Sequence, residues 1–248
     1  MTVILPGQIA VYGDPTGSLR IHRGRGGVAA SKVLVFNGTN TVINCGSNLT
    51  VDNLPAGAMT VEMCVNITAV GNGRIFLGKG HPTLATGWFM EQEWGNPTRL
   101  HAQINTDGVK PDTDTNNAIL SVGQHHVAMC YNNAGDRKIH LFVDGVLRDR
   151  SPIQGTGNIG DDSAHDLKVG YTLAAAAYLY GFVAWVRLSN SIRYIGNFAA
   201  PAFCTSPAPD ASTILLYALN EGVGVVATDT SGNGNHGAIA NGAWLPCS

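Results

Sequence analysis

Three stretches near the C-terminus decide how this chain is read: Gly181–Asn190, GFVAWVRLSN; Arg193–Phe198, RYIGNF; and Leu215–Trp244, LLYALNEGVGVVATDTSGNGNHGAIANGAW. Phe182–Leu188 is rich in β-branched and aromatic residues and reads as a strand. The Gly/Asn run Ser231–Asn235 reads as a tight turn, because Gly and Asn tolerate the backbone path that a turn demands. Residues 213–246 therefore read as closing strands. The crossover before them, 201–212 (PAFCTSPAPDAS), is too rich in proline to pair regularly.

The same pattern extends towards the N-terminus. Val61, Met63, Val65 and Ile67 alternate with Thr60, Glu62, Cys64 and Asn66, as in a strand with one buried face. Leu100, Ala102 and Ile104 alternate with Arg99, His101 and Gln103. Ile139–Val143 and Val146–Leu147 flank Asp144-Gly145, a hairpin signal, since both turn positions want φ > 0. Val33–Phe36, Arg74–Leu77, Gly87–Met90 and Val127–Tyr131 add further strands. Residues 105–124 are polar and read as a long exposed loop. No segment sustains a helical period. The spacing predicts an all-β sandwich of two packed antiparallel sheets.

At 248 residues the chain is long enough for one well-buried core. Net charge is −2, so no global field favours nucleic acid or an anionic membrane surface. No apolar run approaches the roughly 20 residues of a spanning helix. A basic n-region followed by a long apolar stretch is missing from the start. The five cysteines (Cys45, Cys64, Cys130, Cys204, Cys247) are odd in number and lack CxxC spacing. That predicts reduced, mostly buried thiols in a protein folded in cytoplasm. Residues 1–30 form a Gly-rich extension with a basic cluster, Arg20, Arg23 and Arg25, read as an assembly arm on domain 31–248.

Five stretches carry a family resemblance: VLVFNGTNTVINC (33–45), AMTVEMCVNI (58–67), GQHHVAMCYNNAGDRKIHLFVDGVL (123–147), LYGFVAWVRLSNSIRYIGNF (179–198) and the closing element 210–245. Together they resemble the laminin-G-like (concanavalin A-like) jelly rolls. The resemblance implies a concanavalin A-like (laminin-G-like) jelly-roll sandwich with an N-terminal extension. It implies binding or building more than catalysis. The RYxxNF run followed by EGxG…SGNGN is similar to phage and bacterial surface proteins. The leading expectation is therefore a non-catalytic virion protein that decorates a capsid or forms part of a tail or fibre. It would partner other virion proteins and copies of itself, with no nucleic acid and no membrane. The alternative is a carbohydrate-binding adhesin module on a bacterial surface, and the third reading a glycoside hydrolase.

The candidate site residues follow. Glu91 and Glu93 lie i, i+2 and share one face of a strand, with His101 on a neighbouring run. Two carboxylates suit acid/base hydrolysis of a glycoside. The E-x-D-x-(x)-E pattern of related glucanases lacks its central Asp here, with Gln92 between the glutamates, so no catalytic residue is expected. Trp94, in a loop, is the candidate for stacking on sugar rings, whereas Trp88, Trp185 and Trp244 read as core. Asp229, Ser231, Asn233 and Asn235 place oxygens at every second position, a set able to hold at most a weak calcium ion. Asp161-Asp162 is a second calcium edge. His125 and His126, being adjacent, face opposite sides of a strand and read as framework. No GxSxG is present.

Overall fold

The computed structural model describes residues 9–13, 19–23, 32–80, 83–149, 152–171 and 177–248. The chain divides into two compact units, Met1–Ser31 and Lys32–Ser248. The first contains an antiparallel hairpin of β1 (Ile9–Gly13) and β2 (Leu19–Arg23).

Strands of the second unit are, in chain order, β3 (Lys32–Asn37), β4 (Val42–Gly46), β5 (Ala58–Ile67), β6 (Ile75–Gly78), β7 (Trp88–Gln92), β8 (Leu100–Ile104), β9 (Asp112–Asp114), β10 (Gly123–Asn132), β11 (Ile139–Val143), β12 (Val146–Leu147), β13 (Leu167–Val169), β14 (Tyr180–Ser189), β15 (Thr213–Tyr217), β16 (Val226–Ala227), β17 (Gly237–Ala240) and β18 (Ala243–Pro246). One sheet runs β12-β11-β10-β5-β14-β3-β18, with β15 also on β14; the other runs β16-β17-β4-β13-β6-β7-β8-β9. Every pairing is antiparallel. No α-helix occurs among the described residues.

The period-2 pattern does what a half-buried strand must do. Val61, Met63, Val65 and Ile67 of β5 point into the core with Val127, Met129 and Tyr131 of β10. Trp88 and Met90 of β7 and Leu100, Ala102 and Ile104 of β8 close it from the other sheet. Between β11 and β12, Asp144 (φ 52°) and Gly145 (φ 75°) form the expected two-residue hairpin turn. Gly145 has a second reason to be glycine: a Cβ there would meet the carbonyl oxygen of Phe198 at 2.1 Å.

The outer face of the first sheet is covered by the segment after β14. Tyr194 and Phe198 stack with centroids 3.6 Å apart and pack on Phe142, while Phe203 joins Cys64 and Trp185. Beneath them Glu62, fully buried, accepts from Arg187 Nε (2.7 Å), His126 Nε2 (3.0 Å) and the Tyr194 hydroxyl (2.8 Å). Its burial alone would raise its pKa; these partners hold the carboxyl below its ordinary value. His126, as expected, is framework.

Three expectations need correction. Cys204 and Cys247 form a disulfide, so the cysteines are not all reduced; the closing turn brings the crossover beside the C-terminus, and only Cys45, Cys64 and Cys130 are free and buried. The 105–124 stretch is not one exposed loop: Asp112–Asp114 is a strand on β8, and Thr113, Thr115 and Leu120 are buried. Trp244 is only partly buried, its Nε1 donating to the Gly224 carbonyl.

Candidate functional site

The candidate residues of the glutamate strand do come together. Strand alternation sends Trp88 and Met90 inward, so Phe89 and Glu91 take the outer face of the second sheet. Register then sets Glu91 opposite His101, and His101 opposite Asp114. His101 Nδ1 lies 3.0 Å from Glu91 Oε1 and its Nε2 lies 3.3 Å from Asp112 Oδ2. Burial opposes the charge on His101, but the two carboxylates prevail and push its pKa up to about 9. The imidazolium is therefore a fixed cation at neutral pH, with its ring edge-on to Phe89 at 5.5 Å. Beside it Arg99 Nη1 donates to Asp114 Oδ2 (2.9 Å) and approaches Glu93 Oε2 (3.9 Å). Partial burial, followed by the nearby Asp114, raises the pKa of Glu93.

Trp94 stands at the end of this row with 68% of its surface exposed. Its indole lies over Gly73, whose φ of +63° and missing side chain are both needed. A Cβ at Gly73 would fall 2.6 Å from Trp94 Cε3 and 3.7 Å from Glu91 Oε2. One glycine thus seats the aromatic ring beside the buried carboxylate. The loop is fixed further by Gly73 N donating to the Gln92 carbonyl and Gly95 N donating to Asn72 Oδ1. The result is an exposed flat ring beside a self-paired row of acids, an arginine and a histidine.

The Asp229 loop is separate and differently made. Asp229 Oδ1 accepts from the backbone N–H groups of Leu216 and Ser231, and Oδ2 from Asn235 N and Ser231 Oγ. Asn235 Oδ1 accepts from Asn48 and Thr50, and Asn233 Nδ2 donates to the carbonyls of Thr213 and Ile214. The oxygens of Asp229 and Asn235 thus tie the turn to Leu216 and to Asn48 and Thr50. Arg20 and Arg23 lie on β2 of the N-terminal hairpin; Arg25 lies outside the described residues. A hollow of about 390 Å³ opens on the first sheet, lined by Phe142, Ile192 and Tyr194 with Asp136 and His140 at its polar end. It contains none of the candidate binding, metal or assembly residues named from the sequence. Asp112, Asp114, Arg99 and Gly73 were missed there; the alternation of Asp112-Thr113-Asp114-Thr115 was the available signal.

The profile of the concanavalin A-like lectin/glucanases superfamily, in its laminin G form, matches residues 37–194. The chain belongs to this superfamily. Among solved structures, a candidate carbohydrate binding protein from Bacteroides ovatus superposes with a TM-score of 0.65 at 15% identity, over 99% of this chain and 71% of that one. The LG4-5 domains of mouse laminin alpha1 give 0.47 at 15% identity, over 71% and 48%. The sialidase CBM40 of Ruminococcus gnavus gives 0.47 at 11%, over 67% and 95%. At 15% identity the superposition on the Bacteroides ovatus protein shows a shared fold alone. No curated protein sequence matches the chain.

Proposed function

We propose that this superfamily member is a non-catalytic carbohydrate-binding domain, with Trp94 as the stacking platform and the Glu91–His101–Asp112 and Arg99–Asp114 row as the polar wall. The observation that carries this reading is the seating of Trp94. A tryptophan left two-thirds exposed, yet fixed over a glycine beside a hydrogen-bonded polar row, has the two parts a sugar needs: a flat apolar face and fixed hydrogen-bonding groups. The lectin side of the superfamily is favoured over the glucanase side. Only 6% of the Glu91 side chain is accessible and its Oε1 is held by His101, an arrangement that suits positioning the histidine better than attack on an anomeric carbon.

The capsid-decoration reading rests on sequence signals, the RYxxNF and SGNGN runs, the loop-presenting fold and the N-terminal arm among them, and no described contact adds to it. The Cys204–Cys247 disulfide supports residence in an oxidising setting such as a cell surface. No helix of the described residues is long and apolar enough to cross a membrane. A glycan array probed with the full chain and with Trp94→Ala tests the proposal: binding that needs Trp94 supports it, whereas an array blank for the folded protein overturns it.

A further inference from the structure

The loops at the end of β6 meet around a buried amine. Lys79 follows Gly78 of β6 and is 0% exposed. Its Nζ lies 2.7 Å from Asp52 Oδ1 and 3.7 Å from Asp162 Oδ1, donates to Ser47 Oγ (3.0 Å) and donates to the His165 carbonyl. Ser47 Oγ lies 2.6 Å from Asp52 Oδ1 and 2.8 Å from the Ser163 carbonyl, two acceptors for its single proton. Asp162 N donates to Asn53 Oδ1 and Asn53 N to Asp162 Oδ1, which ties the two loops together. Asp162 Oδ2 is buried and has no hydrogen-bond partner.

These are the ligand types of a hard dication: two carboxylates, a hydroxyl and main-chain carbonyls. Calcium takes 6–8 such oxygens. An ammonium has three donors and one charge, so it leaves one acceptor unmatched and one carboxylate charge uncompensated. In the cage two acids stand against one lysine, and Oδ2 of the farther acid, Asp162, is buried without a hydrogen-bond partner. We propose that Lys79 is a tethered cation in an oxygen cage of the calcium type. This end of the sandwich therefore needs no metal, and removing the amine converts the cage into a divalent-cation site. The edge Asp161-Asp162 suggested by the sequence supplies Asp162 to that cage.

The test compares thermal melts of the full chain in EDTA and in about 5 mM CaCl₂, for wild type, Lys79→Ala, Lys79→Met and Lys79→Ala/Asp162→Asn. At the weak affinities of small oxygen sites, calcium should return roughly 2–9 °C of melting temperature to Lys79→Ala. It should return nothing beyond the wild-type response to Lys79→Met, whose side chain still fills the cage, or to the double variant. Sensitised terbium luminescence should appear in Lys79→Ala and be weaker in the double variant. Should Lys79→Ala fold only when refolded with calcium, that supports the proposal too. A folded Lys79→Ala blind to calcium and terbium overturns it. So does an equal calcium response in Lys79→Met, or a Lys79→Ala that cannot fold under either condition while Lys79→Met does.

Discussion

Trp94→Ala isolates the proposed binding surface from the fold. A tryptophan can bury ~150–250 Å², and 68% of this one is open to solvent. A sugar ring stacked on one face would cover about half of the open area, ~80 Å². At ~25 cal/mol per Å² that is worth about 2 kcal/mol. Geometry-specific stacking adds ~0.5–1 kcal/mol. The variant should therefore bind its glycan roughly 60–140-fold more weakly, since every 1.4 kcal/mol is tenfold. Because the ring is exposed, its removal should leave stability within about 0.5 kcal/mol. Calorimetric titration with the best ligand from the array measures the first quantity, and a urea melt the second. Gly73→Ala should reproduce much of the loss without touching the tryptophan, since the added Cβ falls 2.6 Å from Cε3 at a backbone of φ +63°. Unchanged affinity in Trp94→Ala would refute the reasoning. A large loss of stability would show instead that the ring is structural.

Three further outcomes are expected. Glu62→Gln, which leaves Arg187 and His126 buried against a neutral amide, should cost about 3–5 kcal/mol, or roughly 6–20 °C in a thermal melt; a loss under 1 kcal/mol would contradict the account of the outer face. With the folded pKa of Glu62 depressed, its contribution is present above the unfolded value of about 4.3 and lost as pH falls through the folded one, so the gap between wild type and Glu62→Gln should shrink in acid melts below about pH 4.3. Reducing Cys204–Cys247, which are 43 residues apart, should cost up to about 4 kcal/mol by loop entropy, read as a lower urea midpoint in dithiothreitol that Cys204→Ser shares. Asp229→Ala should destabilise by about 3 kcal/mol through the loss of four hydrogen bonds, equally with and without EDTA, and a chelator-sensitive wild type whose sensitivity vanishes in Asp229→Ala would instead mark a calcium loop.

Sequence was informative where an interaction is local and uninformative where it is not. Alternation in β5 and β8 is a property of neighbouring residues, and so is the φ > 0 demand of Asp144-Gly145; both could be read directly. Grouping Glu91, Glu93 and Trp94 needed only strand geometry. The rest depends on partners far apart in the chain. His101 could be named beside Glu91, but that Asp112 reaches its other ring nitrogen depends on the fold. Asp112–Asp114 carries only the polar alternation of Asp112-Thr113-Asp114-Thr115, a weaker mark of a strand than an apolar one. Lys79 sits in a Gly-Lys-Gly run typical of a surface turn, and nothing local says that Asp52 and Asp162 converge on it. An odd cysteine count argued against pairing, yet it excludes only a complete pairing, and one bond formed.

The two outer faces of the sandwich are not equivalent, and that asymmetry bears on where a ligand can sit. On the first sheet the outer residues include a buried anion and two large rings, Glu62, Trp185 and Phe142, and the 191–204 segment covers them. Arg193 holds that cover with two bonds to Asp210, and the disulfide fastens its far end. Opening it would expose Glu62 and Arg187 unpaired, which makes that face a poor place for reversible binding. On the second sheet, β7, β8 and β9 carry polar outer residues already paired with one another. They are ordered before any ligand arrives, so little side-chain entropy is lost on binding. Trp94 is the large aromatic exposed beside that ordered row. In the proposed mode a sugar landing there keeps the internal pairs intact and stacks on the exposed face of Trp94. The proposed binding reading therefore rests on Trp94, which stays exposed beside a row whose Glu91 and Phe89 are themselves buried.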